Sequence, residues 1–368
     1  MKKLHYLFIT LLLAACCCSC RDITIDWDAD SLHFVTHGVY ARIRSVGERH
    51  ALVYNAGDPA LIRFSDDECE SWGKPIVVAQ AEGYGFTNSE LLELQSGRLL
   101  YMWNARPHRN TGLPFKIMYA TSDDKGNSWS SAHDLYIAHP EFHNGCWEPV
   151  ALQLPDGEVQ IYFANEAPYT QSSEQEISMM RSTDNGESWS DAEKVSFRAG
   201  SRDGMAVPIY LPHSNEIAVA IEDNGIRGRF KPVIVRTTNN WEDGFVSTND
   251  PRREEALTPD CAVHDTIYAG APYLIRLGKR HTLLSVQSTE GRKGHNERFA
   301  NMQVYVGDKD ARNFRNRSTP MPNLAENGNA LWNSITQIDD ETVIAVMSVG
   351  GMDPGGIWTV KGKIVEME

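Results

Sequence analysis

At 368 residues the chain has room for two ordinary domains or one large repeat domain. Its 49 acidic residues outweigh 35 basic ones for a net charge of −14, and no Lys/Arg run or basic stripe occurs, which argues against nucleic acid as a partner. Of its 7 cysteines, Cys16, Cys17, Cys18 and Cys20 cluster near the start and Cys69, Cys146 and Cys261 are scattered, so neither a disulfide framework nor a zinc spacing exists and neither metal nor cofactor is expected.

In chain order, the first segment reads as a leader. Lys2 and Lys3 precede an apolar stretch, Leu4 to Leu13, too short to persist as a bilayer span. Leu13-Ala14-Ala15-Cys16 then resembles the bacterial lipoprotein box, which implies removal of residues 1–15 and acylation of Cys16. The expectation is an exported protein held by lipid at a bacterial outer membrane, on its periplasmic or cell-surface face; a plain secretory signal is the alternative. Residues 16–30 read as a polar tether and 31–368 as one domain, expected to be monomeric.

Within that domain the pattern Ser-x-Asp-x-Gly-x-Ser-Trp recurs. Ser122–Trp129 and Ser182–Trp189 fit it fully, and Ser65–Trp72 fits with Cys69 in the glycine position. Thr237–Trp241 and Asp308–Phe314 are worn copies. The three clear copies are spaced 57 and then 60 residues, a period that points to a propeller, solenoid or array.

A second repeat is a hairpin of two apolar-alternating strands around a tight turn. Its copies are Tyr40–Val46 with His50–Ala56, Glu90–Gln95 with Arg98–Asn104, and Glu148–Leu154 with Glu158–Ala164. Met205–Leu211 with Glu216–Glu222, Ala271–Leu277 with His281–Gln287, and Asn333–Ile338 with Glu341–Met347 complete the set. Six hairpins, at about 56 residues apiece, predict an all-β, six-bladed β-propeller with four strands per blade. Strands near Gly356–Val360 and Gly362–Val365 are expected to close the ring with the N-terminal segment.

Strand direction then sorts the residues by face. The first strand of a blade runs along the central channel, so its start shares a face with the end of the second strand. The boxes fall at the turn after the third strand, on the opposite face. There the Asp carboxylate caps backbone N–H groups, Gly supplies a left-handed φ and Trp packs between strands, so the boxes read as structural.

The shared face collects a polar, aromatic set. Arg42, Glu90, Trp147, Glu148, Arg202, Asp203 and Trp332 stand at starts of first strands. Arg106, Glu166 and Glu222 stand at ends of second strands, and Tyr273 flanks the start of the fifth blade. Aromatic faces suit sugar C–H surfaces, charged groups hold hydroxyls, and glycoside hydrolysis needs two carboxyl groups flanking the scissile bond. Two Gly/Arg-rich loops, Gly225–Arg229 and Gly291–His295, lie above the same face as lids or as plain loops.

The boxes resemble the Asp-boxes of the sialidase superfamily, whose members are six-bladed propellers. Within it, Trp147-Glu148-Pro149, Leu154-Pro155-Asp156-Gly157, Tyr162–Glu166, Arg202–Met205 and Ala220-Ile221-Glu222 resemble the exo-arabinanase-like glycoside hydrolases. That resemblance implies Glu148 as nucleophile and Glu222 as general acid/base, acting on an oligosaccharide or polysaccharide of arabinan or related type. Arg42, Glu90, Arg106, Trp147, Glu166, Arg202, Asp203, Tyr273 and Trp332 would orient the sugar. The sialidase branch fits less closely: Arg42-Ile43-Arg44 has Arg44 where that branch has Pro, and Arg42, Arg106 and Arg202 would have to form its carboxylate-binding triad. A non-catalytic glycan-binding surface lipoprotein is the third reading.

Overall fold

In the computed structural model residues 22–367 are described; the expected leader and Cys16 lie outside them. The described residues form 25 strands and three single-turn 3-10 helices, and the strands assemble into six antiparallel sheets. Each sheet is a four-stranded blade taken consecutively from the chain, except the last. The first strands are Val39–Val46, Tyr84–Glu93, Cys146–Gln153, Asp203–Leu211, Ala269–Leu277 and Asn329–Gln337. Each packs against the next and the sixth against the first, which closes a ring around a channel.

Blades pack face to face, so their middle strands are covered on both sides. Val159–Asn165, Glu216–Asp223 and Lys231–Thr237 are buried along their whole length instead of alternating. Such continuous burial is the pattern of strands sandwiched between layers.

The sixth blade is completed from the other end of the chain. Ile23–Trp27, inside the stretch expected to be tether, pairs antiparallel with Gly356–Glu366 as the outermost strand. The folded region therefore begins before residue 31. The reason is visible in the alternation of buried Ile23 and Ile25 with polar neighbours, a strand pattern hidden by its brevity.

The Ser-x-Asp-x-Gly-x-Ser-Trp turns lie between third and fourth strands, away from the starts of the first strands. In Ser182–Trp189 the Ser182 hydroxyl donates to Asp184 at 2.8 Å and accepts the Gly186 N–H at 2.9 Å, while Asp184 accepts the Ser188 N–H at 2.9 Å. The worn copy repeats the device, with Thr237 Oγ1 accepting the Trp241 N–H at 3.0 Å. Cys69 takes the left-handed φ of the missing glycine, +68°.

One irregularity recurs in every blade and positions the site. Near its start each first strand carries one extra residue against its partner, as between Trp147 and Val150 opposite Ala164 and Tyr162. The equivalent bulges precede Arg42, Glu90, Val207, Tyr273 and Ser334. The extra residues have left-handed φ: Tyr40 +56°, Asn88 +56°, Glu148 +51°, Met205 +50°, Ala271 +47° and Trp332 +46°. None is glycine, so each holds on the order of 1 kcal/mol or more of backbone strain. Bulges re-aim side chains, and here they bring one residue per blade to one mouth of the channel.

Candidate active site

The bulge residues build the floor of that mouth. Tyr40, Met205 and Ala271, from the first, fourth and fifth blades, pack together as a small apolar cluster. Trp332 stands beside Tyr40, with ring centroids 6.3 Å apart, and remains 37% exposed. An exposed indole beside an apolar floor can receive the C–H face of a sugar.

Directly beneath lies a plug. The Arg42 guanidinium sits over the rings of Tyr40 at 4.3 Å and Tyr273 at 4.8 Å, and its Nη1 donates to the Trp332 carbonyl at 2.8 Å. Glu90 accepts from Arg44 Nε at 2.8 Å and from the Tyr273 hydroxyl at 3.1 Å. Glu90 and Tyr273 belong to blades two and five, so these contacts cross the channel and seal it. Arg42, Glu90 and Tyr273, expected at the sugar, are all buried one layer below it.

Glu148 and Glu222 flank the mouth from adjacent blades. Glu148 is carried up by its own bulge, while Glu222 is the last residue but one of the second strand of blade four, opposite Gly204. Glu222 Oε2 accepts the N–H of Ala271 at 2.7 Å, so the bulge of blade five supplies a donor where that of blade three supplies a carboxyl. Burial pushes both carboxyls up from 4.5 to about 7. Arg106, Arg202 and Arg42 pull Glu148 back down while Glu166 raises it; for Glu222 the Ala271 N–H pulls down and the charge of Glu148 pushes up. An ionised Glu148 thus raises Glu222, because like charges in a poorly solvated site cannot ionise freely together.

The remaining expected residues divide by where their side chains go. Arg106 lies over the Trp147 ring at 4.9 Å and donates to Asn104 Oδ1 at 2.9 Å and Asn88 Oδ1 at 2.8 Å. Its partners in these contacts are neutral, which leaves its charge to act on Glu148. Trp147 is buried against Phe115 and Phe142, so it supports Arg106 instead of facing the mouth. Arg202 pairs with Glu166 and donates to Gln175 Oε1 at 2.5 Å, with burial pushing Glu166 up against the pull of that guanidinium.

Asp203 points elsewhere. Its carboxylate accepts from Arg253 Nη2 at 2.6 Å and Nη1 at 2.9 Å and from Ser196 at 2.8 Å, fully buried beside Asp223. It precedes the bulge, so its side chain enters the blade and not the channel. The two rim loops are fastened: Arg227 pairs with Glu255, and Arg292 donates to the carbonyls of Leu324, Ala325 and Gly328. Tyr40 and Met205 were missed as site residues, though aligning the six hairpins would have placed both at the level of Glu148.

The ring of six blades is the fold class of propeller glycoside hydrolases. It matches the GH93 alpha-L-arabinofuranosidase of Fusarium graminearum in complex with arabinobiose at a TM-score of 0.63 and 18% identity, over 94% of this chain and 96% of that one. It matches the alpha-L-arabinanase of Penicillium chrysogenum, also with arabinobiose, at 0.63 and 14%, over 94% and 97%. The NanB sialidase of Streptococcus pneumoniae matches at 0.61 and 12%, over 90% of this chain and 69% of that one. No protein-family model and no curated protein matches the chain. At these identities the likeness is one of fold.

Proposed function

We propose that the chain is an exo-acting, retaining glycoside hydrolase for a glycan of arabinan or related type, with Glu148 as nucleophile and Glu222 as general acid/base. The observation that carries this reading is the pair itself: two carboxyls from adjacent blades at one sealed mouth, both raised to about 7, in unlike surroundings. Three guanidiniums favour the anion at Glu148, and once it is ionised its charge keeps the proton on Glu222. Glu148 then attacks the anomeric carbon as the glycosidic C–O bond breaks and the Glu222 proton passes to the leaving oxygen. In the second half, Glu222 takes a proton from the water that cleaves the glycosyl ester. The arabinan assignment leans on the fold shared with two arabinobiose-bound enzymes.

The three arginines around Glu148 are what a sialidase reading would use. Against it, Arg42 donates to backbone carbonyls beneath Tyr40 and Arg202 is engaged by Glu166 and Gln175, so few forks remain for a substrate carboxylate.

The test is hydrolysis of arabinan oligomers and a sialyl reporter by purified protein, with the product anomer followed by NMR. Glu148→Gln and Glu222→Gln should each lower kcat by about 10³-fold or more without unfolding the protein. Undiminished turnover in Glu148→Gln would sink the assignment, and sugar binding without turnover in the wild type would mark a glycan-binding protein. Acylation at Cys16 belongs to the same proposal, as the route by which the enzyme is held at a membrane.

A further inference from the structure

Glu222 is held in a slot made by the absence of side chains. A Cβ on Gly270 would come within 2.3 Å of Glu222 Oε2 and 2.6 Å of the Tyr268 hydroxyl. A Cβ on Gly204 would lie 3.1 Å from Glu222 Oε1 and 2.8 Å from Gln175 Nε2. The carboxyl therefore lies between two bare backbone segments, on blades four and five. Behind it, Tyr268 is buried, and its hydroxyl accepts from Gln287 Nε2 at 2.7 Å. Gln287 Oε1 in turn accepts the backbone N–H of Trp332 at 2.8 Å. A chain of contacts thus runs from the bulge backbone at Trp332 in blade six, through Gln287 and Tyr268, to the slot that holds Glu222.

We infer that Tyr268, Gln287 and Gly270 are positioning residues for the general acid, fixing which oxygen of Glu222 carries the proton. Ala271 N–H is donated to Oε2, so in the neutral carboxyl Oε2 is the carbonyl oxygen and Oε1, on the Gly204 side, bears the proton. Rotation that exchanged the two oxygens would set an O–H against the Ala271 N–H. Gly270 lets the Ala271 N–H come close, and the Tyr268 phenol, held by Gln287, fills the space through which water would reach Oε2. The charged and titratable groups acting on Glu222 are Glu148, Arg202, Glu297 and Tyr268, and none but Tyr268 belongs to this slot. The inference rests on the proposed role of Glu222 as acid.

The experiment compares wild type with Tyr268→Phe and Gly270→Ala on two substrates. Arabinobiose has a leaving group that needs a proton; dinitrophenyl α-L-arabinofuranoside has one that does not. The expected result is a loss of about 10- to 100-fold in kcat/KM on arabinobiose, with KM within about twofold, and a near-normal kcat/KM on the dinitrophenyl glycoside, whose first step needs no proton. Equal losses on both substrates, or no loss, would overturn the inference. A second readout needs no activity: stability of wild type, Glu222→Gln and Tyr268→Phe from pH 5 to 8. Tyr268→Phe admits water, so its loss of stability with rising pH should shrink towards that of Glu222→Gln; an unchanged slope overturns the inference. If wild type cleaves neither substrate but Tyr268→Phe flattens the slope, the slot stands and the proposed activity fails.

Discussion

At the scale of single residues, the raised carboxyls make a prediction about stability that is independent of catalysis. Glu222 moves from 4.5 to about 7 on folding, so between these values the folded state binds more protons than the unfolded one. Stability therefore falls as pH rises through this window, and Glu222→Gln removes the loss. The variant is expected to match wild type near pH 4 and to exceed it by about 3 kcal/mol at pH 8, as measured by urea unfolding at both values. A constant gap would mean the carboxyl is not raised. Asp203 gives the opposite contrast. Its substitution by Asn leaves Arg253 buried with half its compensation and should cost about 3 kcal/mol while leaving KM unchanged. The carboxyls expected to be catalytic were legible as strand-end acids, whereas the buried role of Asp203 was not. Its partner Arg253 lies far along the chain, with no local mark in the sequence.

At the scale of elements, turns were legible and bulges were not. The box residues announce themselves because Ser, Asp and Gly are the types that satisfy a tight turn locally. The bulges are occupied by Tyr, Asn, Glu, Met, Ala and Trp, of which only Asn favours a left-handed φ. A one-residue slip changes which side chains face the channel, and this is why Glu90 and Tyr273 were placed one layer too high. The box carboxylates also set an acid limit. Hydrogen bonds from the Ser71, Ser128 and Ser188 side chains hold Asp67, Asp124 and Asp184 down to about 2, from an ordinary 3.8. Their contribution is full above that ordinary value and is lost as pH falls towards 2. Asp184→Ala should therefore lower the melting temperature at pH 7 and narrow that difference at pH 2. It should leave kcat and KM untouched, because the turn lies on the face away from Glu148. A fall in kcat at unchanged stability would contradict that separation of faces.

At the scale of the whole molecule, ring closure fixes how the chain enters the fold. Ile23 pairs with Glu366 and Asp22 pairs with Arg315, where the fourth strand of blade five begins, so the chain enters on the face that carries the boxes. Cys16 precedes Asp22 by six residues, a reach of at most about 20 Å. Acylation at Cys16, as proposed, would then turn the box face towards the bilayer and the mouth holding Glu148, Glu222 and Trp332 away from it. That orientation suits an enzyme whose glycan arrives from solution, since the plug of Arg42, Glu90 and Tyr273 blocks approach through the channel from the membrane side. Hydrogen exchange of the acylated full-length protein on lipid vesicles tests this arrangement, with Cys16→Ser protein as the free reference. Amides of Ser182–Trp189 and Ser122–Trp129 should gain protection on vesicles, while those around Glu148 and Trp332 should exchange as in the free protein. Protection at the mouth instead would reverse the orientation, and the substrate would then have to come from the membrane surface itself.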